Sequence, residues 1–339
     1  MARLKENHSL HSLNTFGLAV KARWFMALDS EKAALEFLMD NLHPERPMLI
    51  LGGGSNVLFR RDYPGLLLLN RIMGRTVVDE DEDHVWLRVG AGENWHETVL
   101  YTLAQNWGGL ENLSLIPGCM GAAPIQNIGA YGVELKEVFH SLSALHLSTG
   151  AVHEFDRAVC QFGYRDSVFK RKAKGQYLIT SVTLRLSKKP ELNTSYGAIE
   201  TELQRLDLRP SIHSISQAVI NIRQSKLPDP AEIGNSGSFF KNPVISRAQF
   251  EALQAQHPQV PHYPVSDAEV KVPAGWLIER AGWKGHRRGN HGVHDRQALV
   301  LVNHGGASGE DIFQLSEDIM ASVGDQFGLQ LEREVNVIG

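Results

Sequence analysis

The segment 116–132, with the sequence IPGCMGAAPIQNIGAYG, constrains the fold of this chain more than any other. Glycine and proline interrupt helices and strands, so no long regular element can run through it. A loop of this length inside a compact domain is usually either functional or disordered. Its apolar residues, Ile116, Met120, Ile125 and Ile128, argue against disorder. We therefore predict an ordered loop that binds a ligand, with a purely structural Ω-loop as the alternative.

A second glycine-rich turn comes earlier, directly after an apolar run of strand length at 48–51. Gly52, Gly53 and Gly54 allow positive φ angles and let a ligand approach the backbone closely. Consecutive N–H groups in such a turn can bind an anion, and an ordinary tight turn is the alternative. No G-x-G-x-x-G opens a helix and no Gly-Lys-Ser/Thr is present, which excludes the common phosphate fingerprints. Together the two loops could hold both ends of a pyrophosphate, the second through Gly118, Gly121, Gly129, Gly132, Gln126 and Asn127.

Length and composition limit the classes of protein to consider. The 339 residues predict two or three domains. With 34 Lys and Arg against 38 Asp and Glu, the net charge of −4 leaves no basic excess for binding a nucleic acid backbone. Two cysteines, Cys119 and Cys160, are too few for a disulfide framework or a cysteine-rich metal site. The N-terminus lacks a secretory apolar region and no apolar run could span a membrane, so we expect a cytoplasmic protein.

Capping residues and apolar periodicity predict the regular elements. Helices are expected after Ser30, Asn94, Ser214 and Ser246, in the first turn after Pro273, and over 308–327. Strands or hairpins are expected at 48–51, 66–69, 77–89, around 148–150, at 177–186 and at 298–302. The residues from 331 to 337 alternate between apolar and polar, which predicts a final strand with Glu332 and Glu334 on its polar face.

Four histidines, His286, His291, His294 and His304, lie close together in the sequence and raise the alternative of a metal site. Their spacing matches no established ligand motif, and no cysteine or glutamate pair accompanies them. We interpret them as structural or solvent-exposed histidines and predict no metal site.

Five motifs occur in an order and spacing that resemble one known family: LGGGSN, IPGCMGAAPIQNIGAYG, FGYRDSVFK, SGSFFKNP and LEREVNVIG. The chain resembles the UDP-N-acetylenolpyruvoylglucosamine reductases (MurB) over essentially its whole length. This resemblance implies a cytoplasmic flavoenzyme of peptidoglycan precursor synthesis, with tightly but non-covalently bound FAD and with NADPH as hydride donor. In that family the reduced flavin passes hydride to the enolpyruvyl group of a UDP-sugar, which gives UDP-N-acetylmuramate.

The resemblance also implies an α+β fold with two parts. One is a two-part FAD-binding domain of the vanillyl-alcohol oxidase and p-cresol methylhydroxylase type, and the other is a separate α+β substrate-binding domain. The implied boundaries are 1–71 and 72–213 for the FAD-binding subdomains, 214–328 for the substrate-binding domain, and 329–339 for a C-terminal strand that returns to the active site. The only partner implied is the small-molecule UDP-sugar, with no nucleic acid, membrane or obligate protein partner.

Three residues match the catalytic positions of the family. Arg165 matches the arginine beside the substrate carboxylate, where a guanidinium stays charged and donates in a planar fork; a structural pair with Asp166 is the alternative. Ser238 matches the proton donor, and the two phenylalanines that follow it are consistent with a desolvated hydroxyl. Glu334 matches the carboxylate that assists enolate stabilisation, whereas alternation alone does not distinguish it from Glu332.

The resemblance assigns the binding residues by position. Tyr196 matches a tyrosine that closes over the diphosphate in one subclass, and its presence indicates that subclass. Some relatives carry serines in place of Ala122 and Ala123, so pyrophosphate contacts there would have to come from backbone N–H groups. FAD contacts are implied for Gly52, Gly53, Gly54, Ser55, Asn56, Ile116, Pro117, Gly118, Gly121, Ala122, Ala123, Ile125, Asn127, Gly129, Ala130 and Tyr131. Substrate contacts are implied for Tyr196, Lys226, Asn242, Tyr263, Lys271 and Gln297.

Two other functions remain open. A flavin-dependent alcohol oxidase on the same fold would keep the cofactor, but it would not explain the Ser238 motif together with Glu334. A non-catalytic nucleotide-binding module would need no proton donor at all. A flavin absorption spectrum distinguishes the two flavin enzymes from the module, and the oxidant of the reduced flavin distinguishes the reductase from the oxidase.

Overall fold

The computed structural model describes residues 4–40 and 47–339 of the chain. The helices are α1 (Glu31–Asp40), α2 (Trp95–Ala104), α3 (Arg157–Cys160), α4 (Gly197–Arg205), α5 (Ile212–Lys226), α6 (Arg247–Gln256), α7 (Ala274–Arg280) and α8 (Gly309–Phe327). The strands are β1 (Lys5–Ser9), β2 (Lys21–Leu28), β3 (Met48–Leu51), β4 (Val57–Phe59), β5 (Tyr63–Asn70), β6 (Arg75–Glu80), β7 (His84–Gly90), β8 (Gly129–Ala130), β9 (Val133–Glu134), β10 (Phe139–His146), β11 (Val152–Asp156), β12 (Tyr177–Ser187), β13 (Gly234–Ser238), β14 (Val244–Ser246), β15 (Tyr263–Pro264), β16 (Glu269–Lys271), β17 (Arg287–Arg288), β18 (His291–Val293), β19 (Val300–Asn303) and β20 (Asn336–Ile338).

The described chain forms two compact units, each assembled from separate stretches of sequence. Unit 1 takes residues 4–8, the described residues of 22–54, and 64–225. Unit 2 takes 9–21, 55–63 and 226–339. The finer division predicted from the sequence, with boundaries at 71, 213 and 328, stays a prediction.

Unit 1 contains two main sheets. In the first, with the order β1-β2-β5-β3, strands β3 and β5 run parallel with Met48 opposite Leu66. The second sheet has the order β11-β10-β12-β7-β6 and is antiparallel throughout. Its strands and helix α2 bury one apolar core, into which Trp95 and Val99 of the helix pack. The glycine-rich segment 116–132 is ordered against this core through the buried side chains of Met120 and Ile128.

Unit 2 combines small sheets with three helices. The order β13-β19-β18-β17 forms one sheet and β14-β16-β15 another, both antiparallel. Near the C-terminus, β20 pairs in parallel with β4. Helix α8 begins after Ser308, which forms a capping box with Asp311. This helix packs through the apolar stripe Ile312, Leu315, Ile319 and Val323, which is fully buried.

Most predicted elements are confirmed, and two differ. The helix predicted after Ser214 begins at Ile212, because Ser211 and Ser214 exchange hydrogen bonds. The Ser214 N–H donates to the Ser211 Oγ at 3.0 Å, and the Ser211 N–H donates to the Ser214 Oγ at 2.8 Å. The final strand is shorter than predicted, since only β20 pairs with β4 in a ladder. Leu331 and Val335 are nevertheless buried, as the alternation predicted.

Neither a membrane-spanning helix nor a cluster of metal-binding side chains occurs among the described residues. No helix within 4–40 or 47–339 is long and apolar enough to cross a membrane. Over the same residues, no three His, Cys, Asp or Glu side chains lie close enough together to hold a metal ion. The cluster of histidines between 286 and 304 therefore forms no such site. Cys119 and Cys160 carry free thiols.

Candidate active site

The two glycine-rich loops meet within unit 1. A Cβ atom added to Gly53 would lie 2.9 Å from the Cα of Gly118, closer than Cβ atoms normally come to backbone. Gly54 and Gly118 have φ angles of +63° and +122°, which favour glycine. The backbones of the two loops therefore pack directly against each other at Gly53 and Gly118, with the Cys119 side chain beside them.

The backbone N–H groups from 120 to 123 already have acceptors within unit 1. Met120 and Gly121 donate to the carbonyls of Glu93 and Ala91, each at 2.8 Å. The N–H groups of Ala122 and Ala123 close tight turns onto preceding carbonyls, each at 3.1 Å. Backbone contacts to a pyrophosphate at Ala122 and Ala123 stay a prediction. The N–H groups are used to hold the loop in shape.

Asn127 holds the loop together from the inside. Its side chain is fully buried, with the amide nitrogen donating to the Glu134 carboxylate at 3.1 Å and to the Gly163 carbonyl at 3.0 Å. Its side-chain oxygen accepts the N–H of Lys136 at 3.0 Å. Only the backbone of Asn127 remains to contact a cofactor, and that predicted contact stays a prediction. The structure assigns its amide to fixing the loop against the turn that begins at Gly163.

Four further residues predicted to contact the cofactor fall into two groups in unit 1, whereas Ser55 and Asn56 belong to unit 2. Ile116 and Ala130 pack against the main core. Pro117 and Ile125 are exposed at the surface of the loop. Their contacts with a cofactor also stay a prediction.

Arg165 lies in a tight turn of unit 1, with a left-handed φ of +53°. The backbones of Gly163 and Asp166 close this turn with two hydrogen bonds, at 3.0 and 3.3 Å. Non-glycine residues in this conformation are uncommon and recur at functional sites. The Arg165 guanidinium donates to the Gly129 carbonyl at 2.5 Å, and Gly129 leaves room for it, because a Cβ there would lie 2.9 Å from Nη1. The turn thus brings Arg165 onto the glycine-rich loop.

The carboxylate of Asp166 has a partner other than Arg165. It pairs with the Nε of Arg171 at 3.1 Å, and Arg171 also donates to the Gln161 carbonyl at 2.8 Å. The structural alternative from the sequence, an Asp166–Arg165 pair, therefore does not account for Asp166.

Tyr131 and Tyr196 form an aromatic pair in unit 1. Their ring centroids are 5.2 Å apart and the rings are nearly perpendicular, at 85°. Burial raises the pKa of Tyr131, and the positive charge of Arg223, a guanidinium whose own pKa burial lowers, opposes that rise. Tyr196 is exposed and immediately precedes α4. No sequence motif singled out Arg223. The one sequence signal for it is that this charged residue interrupts the apolar pattern of its helix.

Ser238 lies at the end of β13 in unit 2, beyond an irregularity in its pairing with β19. Asn235 supports this irregularity, since its buried side-chain oxygen accepts the N–H of Gly237 at 2.9 Å. β-bulges are common beside active sites, where they redirect a side chain. The Ser238 residue is exposed, whereas the side chains of Phe239 and Phe240 are buried in the core. The two phenylalanines anchor the end of the strand in the core, and the desolvated Ser238 hydroxyl stays a prediction.

The segment carrying Glu334 runs beside the one carrying Ser238. The Glu334 N–H donates to the Phe239 carbonyl at 2.9 Å, and the Lys241 N–H donates to the Glu332 carbonyl at 2.8 Å. The Asn56 side chain donates to the Glu334 carbonyl at 3.3 Å. Glu332 is exposed and pairs with Lys241 at 2.5 Å, whereas Glu334 is half-buried. Unit 2 thus brings together Ser238 and Glu334, the two predicted catalytic residues that it contains.

Arg333, which the sequence analysis missed, anchors this segment to α8. Its Nε donates to the Ser316 Oγ at 2.9 Å, and its guanidinium pairs with Glu317. The guanidinium carbon also lies 4.6 Å from the ring centroid of Phe313. Arg333 lies within the LEREVNVIG motif, but the motif does not indicate its contacts with α8, which only the structure shows.

The predicted substrate residues of unit 2 occupy several elements. Tyr263 and Lys271 are direct partners on β15 and β16, with the ammonium 6.0 Å from the ring centroid. Asn242 and Gln297 each accept a backbone N–H, from Ala274 at 2.9 Å and from Leu299 at 3.3 Å. The exposed Lys226, at the end of α5, begins the last of the three stretches that form this unit. Among these five residues, the structure shows direct contact only between Tyr263 and Lys271. The contacts of all five with the substrate stay predictions.

Family models match both parts of the chain. A model described as an FAD-binding domain matches residues 25–156, which contain both glycine-rich loops. A model described as the C-terminal domain of UDP-N-acetylenolpyruvoylglucosamine reductase matches residues 229–338, which contain Ser238 and Glu334. The two loops that meet at Gly53 and Gly118 both lie within the part of the chain that the FAD-binding model matches. The fold and these loops define an FAD-binding flavoprotein of the α+β class.

Curated relatives identify the family within that class. The chain is 50% identical over 336 residues to the UDP-N-acetylenolpyruvoylglucosamine reductase of Amoebophilus asiaticus, covering 99% of each chain. It is 51% identical over 335 residues to the reductase of Burkholderia lata, covering 98% of this chain and 96% of the relative. The chain belongs to the UDP-N-acetylenolpyruvoylglucosamine reductase family and is an oxidoreductase.

Solved structures support the fold. The UDP-N-acetylenolpyruvylglucosamine reductase (MurB) of Thermus caldophilus aligns over 100% of both chains with a TM-score of 0.69 and 22% identity. A solvent-stable cholesterol oxidase aligns over 98% of this chain and 87% of its own, with a TM-score of 0.52 and 12% identity. The predicted fold class, with an FAD-binding domain of the vanillyl-alcohol oxidase type, is confirmed.

Replacing Gly53 by alanine is expected to weaken FAD binding by at least tenfold. The new methyl group would collide with the backbone of Gly118, so one glycine-rich loop must move away from the other. Gly197→Ala is the matched control, because a Cβ at Gly197 meets nothing within 4 Å. Titration of the apoproteins with FAD, followed by flavin fluorescence, measures the effect. Equal affinities for the two variants would mean that the loop contact does not shape the cofactor site.

Proposed function

We propose that this protein reduces UDP-N-acetylglucosamine enolpyruvate to UDP-N-acetylmuramate with NADPH, as a cytoplasmic step in peptidoglycan precursor synthesis. Family membership over nearly the whole chain supports the reductase activity. NADPH as donor, the peptidoglycan role in cell shape and division, and the cytoplasmic location come from the family resemblance. The proposed partner is the small-molecule substrate alone, without nucleic acid, membrane or obligate protein partner.

In this proposal FAD supplies the hydride and Arg165 binds the carboxylate of the substrate. Bound FAD would take up hydride from NADPH and supply it to the terminal carbon of the enolpyruvyl double bond. Arg165 then stabilises the negative charge that spreads into the substrate carboxylate, since its planar fork of donors matches two carboxylate oxygens. Its short bond to the Gly129 carbonyl supports this role, because the guanidinium is held in place before substrate arrives.

Ser238 gives a proton to the carbon next to the substrate carboxylate, and Glu334 assists it. A serine hydroxyl is a weak acid in water, so it must be aimed at the carbon and shielded from solvent. The observation that carries this proposal is the backbone hydrogen bond from Glu334 to Phe239, which joins the two segments. Because Ser238 is exposed, we propose that bound substrate excludes water from its hydroxyl.

The substrate carries several negative charges while the protein is net acidic, so its cations must be local. We propose that Tyr196 closes over the diphosphate and that Lys226 and Lys271 neutralise it. The contact of Tyr263 with Lys271 supports a combined aromatic and cationic contact surface. Asn242 and Gln297 complete the proposed set, with their remaining hydrogen-bonding capacity directed to the substrate.

Flavin content and turnover test this function together. Purified protein is expected to show a flavin absorption spectrum, and NADPH oxidation is expected to depend on the enolpyruvyl UDP-sugar. Mass spectrometry should find a product heavier by two hydrogen atoms. A colourless protein that binds no FAD would exclude both flavin enzymes. A flavoprotein that reacts instead with an alcohol and oxygen would support the alcohol oxidase.

A further inference from the structure

The start of helix α2 contacts the loop that leads into the second glycine run. The indole N–H of Trp95 donates to the Leu113 carbonyl at 2.9 Å, and its backbone N–H donates to the Gly118 carbonyl at 3.0 Å. Between these two bonds, the Nδ1 of His96 accepts the backbone N–H of Leu115 at 3.0 Å. Two adjacent residues of one helix thus hold three points of the segment 113–118.

Leu115 is the unusual residue of this segment. Its φ of +57° is left-handed, a conformation that a leucine adopts only where its surroundings enforce it. Its carbonyl accepts the Nε of Arg223 at 3.2 Å while its N–H is held by His96. Both polar groups of this residue are therefore occupied by side chains from two different helices, α2 and α5.

We infer that His96 is a positioning residue for FAD binding, acting through the Leu115 N–H to hold the entry of the glycine-rich loop in its cofactor-binding conformation. The inference rests on the flavin part of the proposed function and not on the sugar substrate. Gly118 follows three residues later, so a change of backbone direction at Leu115 displaces the residue that packs against Gly53. His96 acts on the loop and is not itself a ligand of the cofactor.

The bond requires a particular protonation state of the ring. Nδ1 can accept the Leu115 N–H only in the neutral tautomer that carries its hydrogen on Nε2. Burial lowers the pKa of His96, Glu97 on the same helix raises it, and Arg223 on α5 lowers it. The loop residues 113–118 contribute no titratable side chain. Neutral His96 is therefore favoured, and the bond is lost only as the pH falls below the ordinary histidine range.

The test compares the affinity of apoprotein for FAD in two His96 variants at neutral pH. His96→Leu removes the acceptor and leaves the Leu115 N–H unsatisfied, so FAD should bind about tenfold more weakly. His96→Asn returns an acceptor oxygen near the position of Nδ1 and should restore affinity to within about threefold of the wild type. His213→Leu is the matched control, since His213 bonds only to the exposed Asn106 on the surface of unit 1, and its affinity should be unchanged.

A second measurement separates positioning from general stability. If His96 were merely structural, His96→Leu would lower the melting temperature of the apoprotein while FAD affinity stayed equal to that of the wild type. That result would overturn the inference and leave the proposed function intact. Wild-type protein that binds no FAD would overturn both. An equal loss of affinity in His96→Asn and His96→Leu would also contradict an acceptor role.

The pH dependence keeps the inference testable if His96→Leu does not fold. In the wild type, FAD affinity should fall as acid protonates Nδ1, because the folded-state pKa lies below the ordinary value and the bond is complete only above it. His96→Asn has no such proton and should lack this part of the loss. Identical pH profiles for the wild type and His96→Asn would overturn the inference.

Discussion

Ser238→Ala is expected to slow reoxidation of the reduced enzyme by the enolpyruvyl UDP-sugar by about 10²–10⁴-fold, the contribution typical of a positioned general acid. Reduction of the enzyme by NADPH should remain nearly normal, because that step needs no proton on the sugar. The substitution removes only the hydroxyl group of Ser238, and the buried Phe239 and Phe240 continue to hold the strand. Stopped-flow absorbance separates the two half-reactions.

The stereochemistry of the product gives a second readout for Ser238. In deuterated water, wild-type enzyme should place deuterium on one face of the carbon beside the carboxylate. The residual product of Ser238→Ala should lose that facial selectivity, because solvent replaces the fixed donor. Ser322→Ala on α8 is the control and should behave as wild type. Equal slowing of both half-reactions by Ser238→Ala, with selectivity retained, would show that Ser238 is structural.

Arg165→Lys is expected to slow the same half-reaction by about 10²–10³-fold, the range found when one donor to a developing oxyanion is removed. Lysine keeps the charge but cannot present two parallel donors to a carboxylate. We expect the loss in the rate of reoxidation at saturating substrate, with NADPH reduction little changed. Lysine is preferred to alanine because it keeps a long cationic side chain near the Gly129 carbonyl.

Control measurements distinguish catalysis from loop distortion at Arg165. Arg171→Ala removes the residue that pairs with Asp166, which lies in the same turn as Arg165. We expect this variant to leave the rates of both half-reactions unchanged. The FAD affinity of Arg165→Lys should stay within about threefold of the wild type. Unchanged reoxidation in Arg165→Lys would refute the proposed role. A loss of FAD affinity as large as the loss of rate would assign Arg165 to the loop instead.

The elements were predictable where local chemistry determines them. Ser246 and Ser308 cap their helices as the sequence indicated, because the capping hydroxyl and the N3 side chain lie within one turn. Ser214 misled the prediction, since its bond partner Ser211 also has a hydroxyl and takes the outer position. The predicted length of the last strand was wrong for a non-local reason. Pairing with β4 begins only at Asn336, and alternation carries no information about the partner strand.

Site residues were predictable where they belong to a sequence motif. They were not predictable where their role depends on contacts between residues that are distant in the sequence. The five motifs supplied Ser238, Glu334, Arg165 and the glycines. They did not indicate that Asn127 would be fully bonded inside the loop, which follows from Glu134, Lys136 and Gly163 folding around it. Nor could they identify His96 as a partner of Leu115, because a single histidine on a helix carries no signature.

Reoxidation of the reduced protein tests the central claim most directly. The protein is reduced with one equivalent of NADPH without oxygen and then mixed rapidly with the enolpyruvyl UDP-sugar. We predict that the oxidised flavin spectrum returns at a rate that rises with sugar concentration and saturates, and that UDP-N-acetylmuramate forms in equal amount. A flavin that stays reduced with the sugar, yet is reoxidised as soon as oxygen is admitted, would contradict the proposed function.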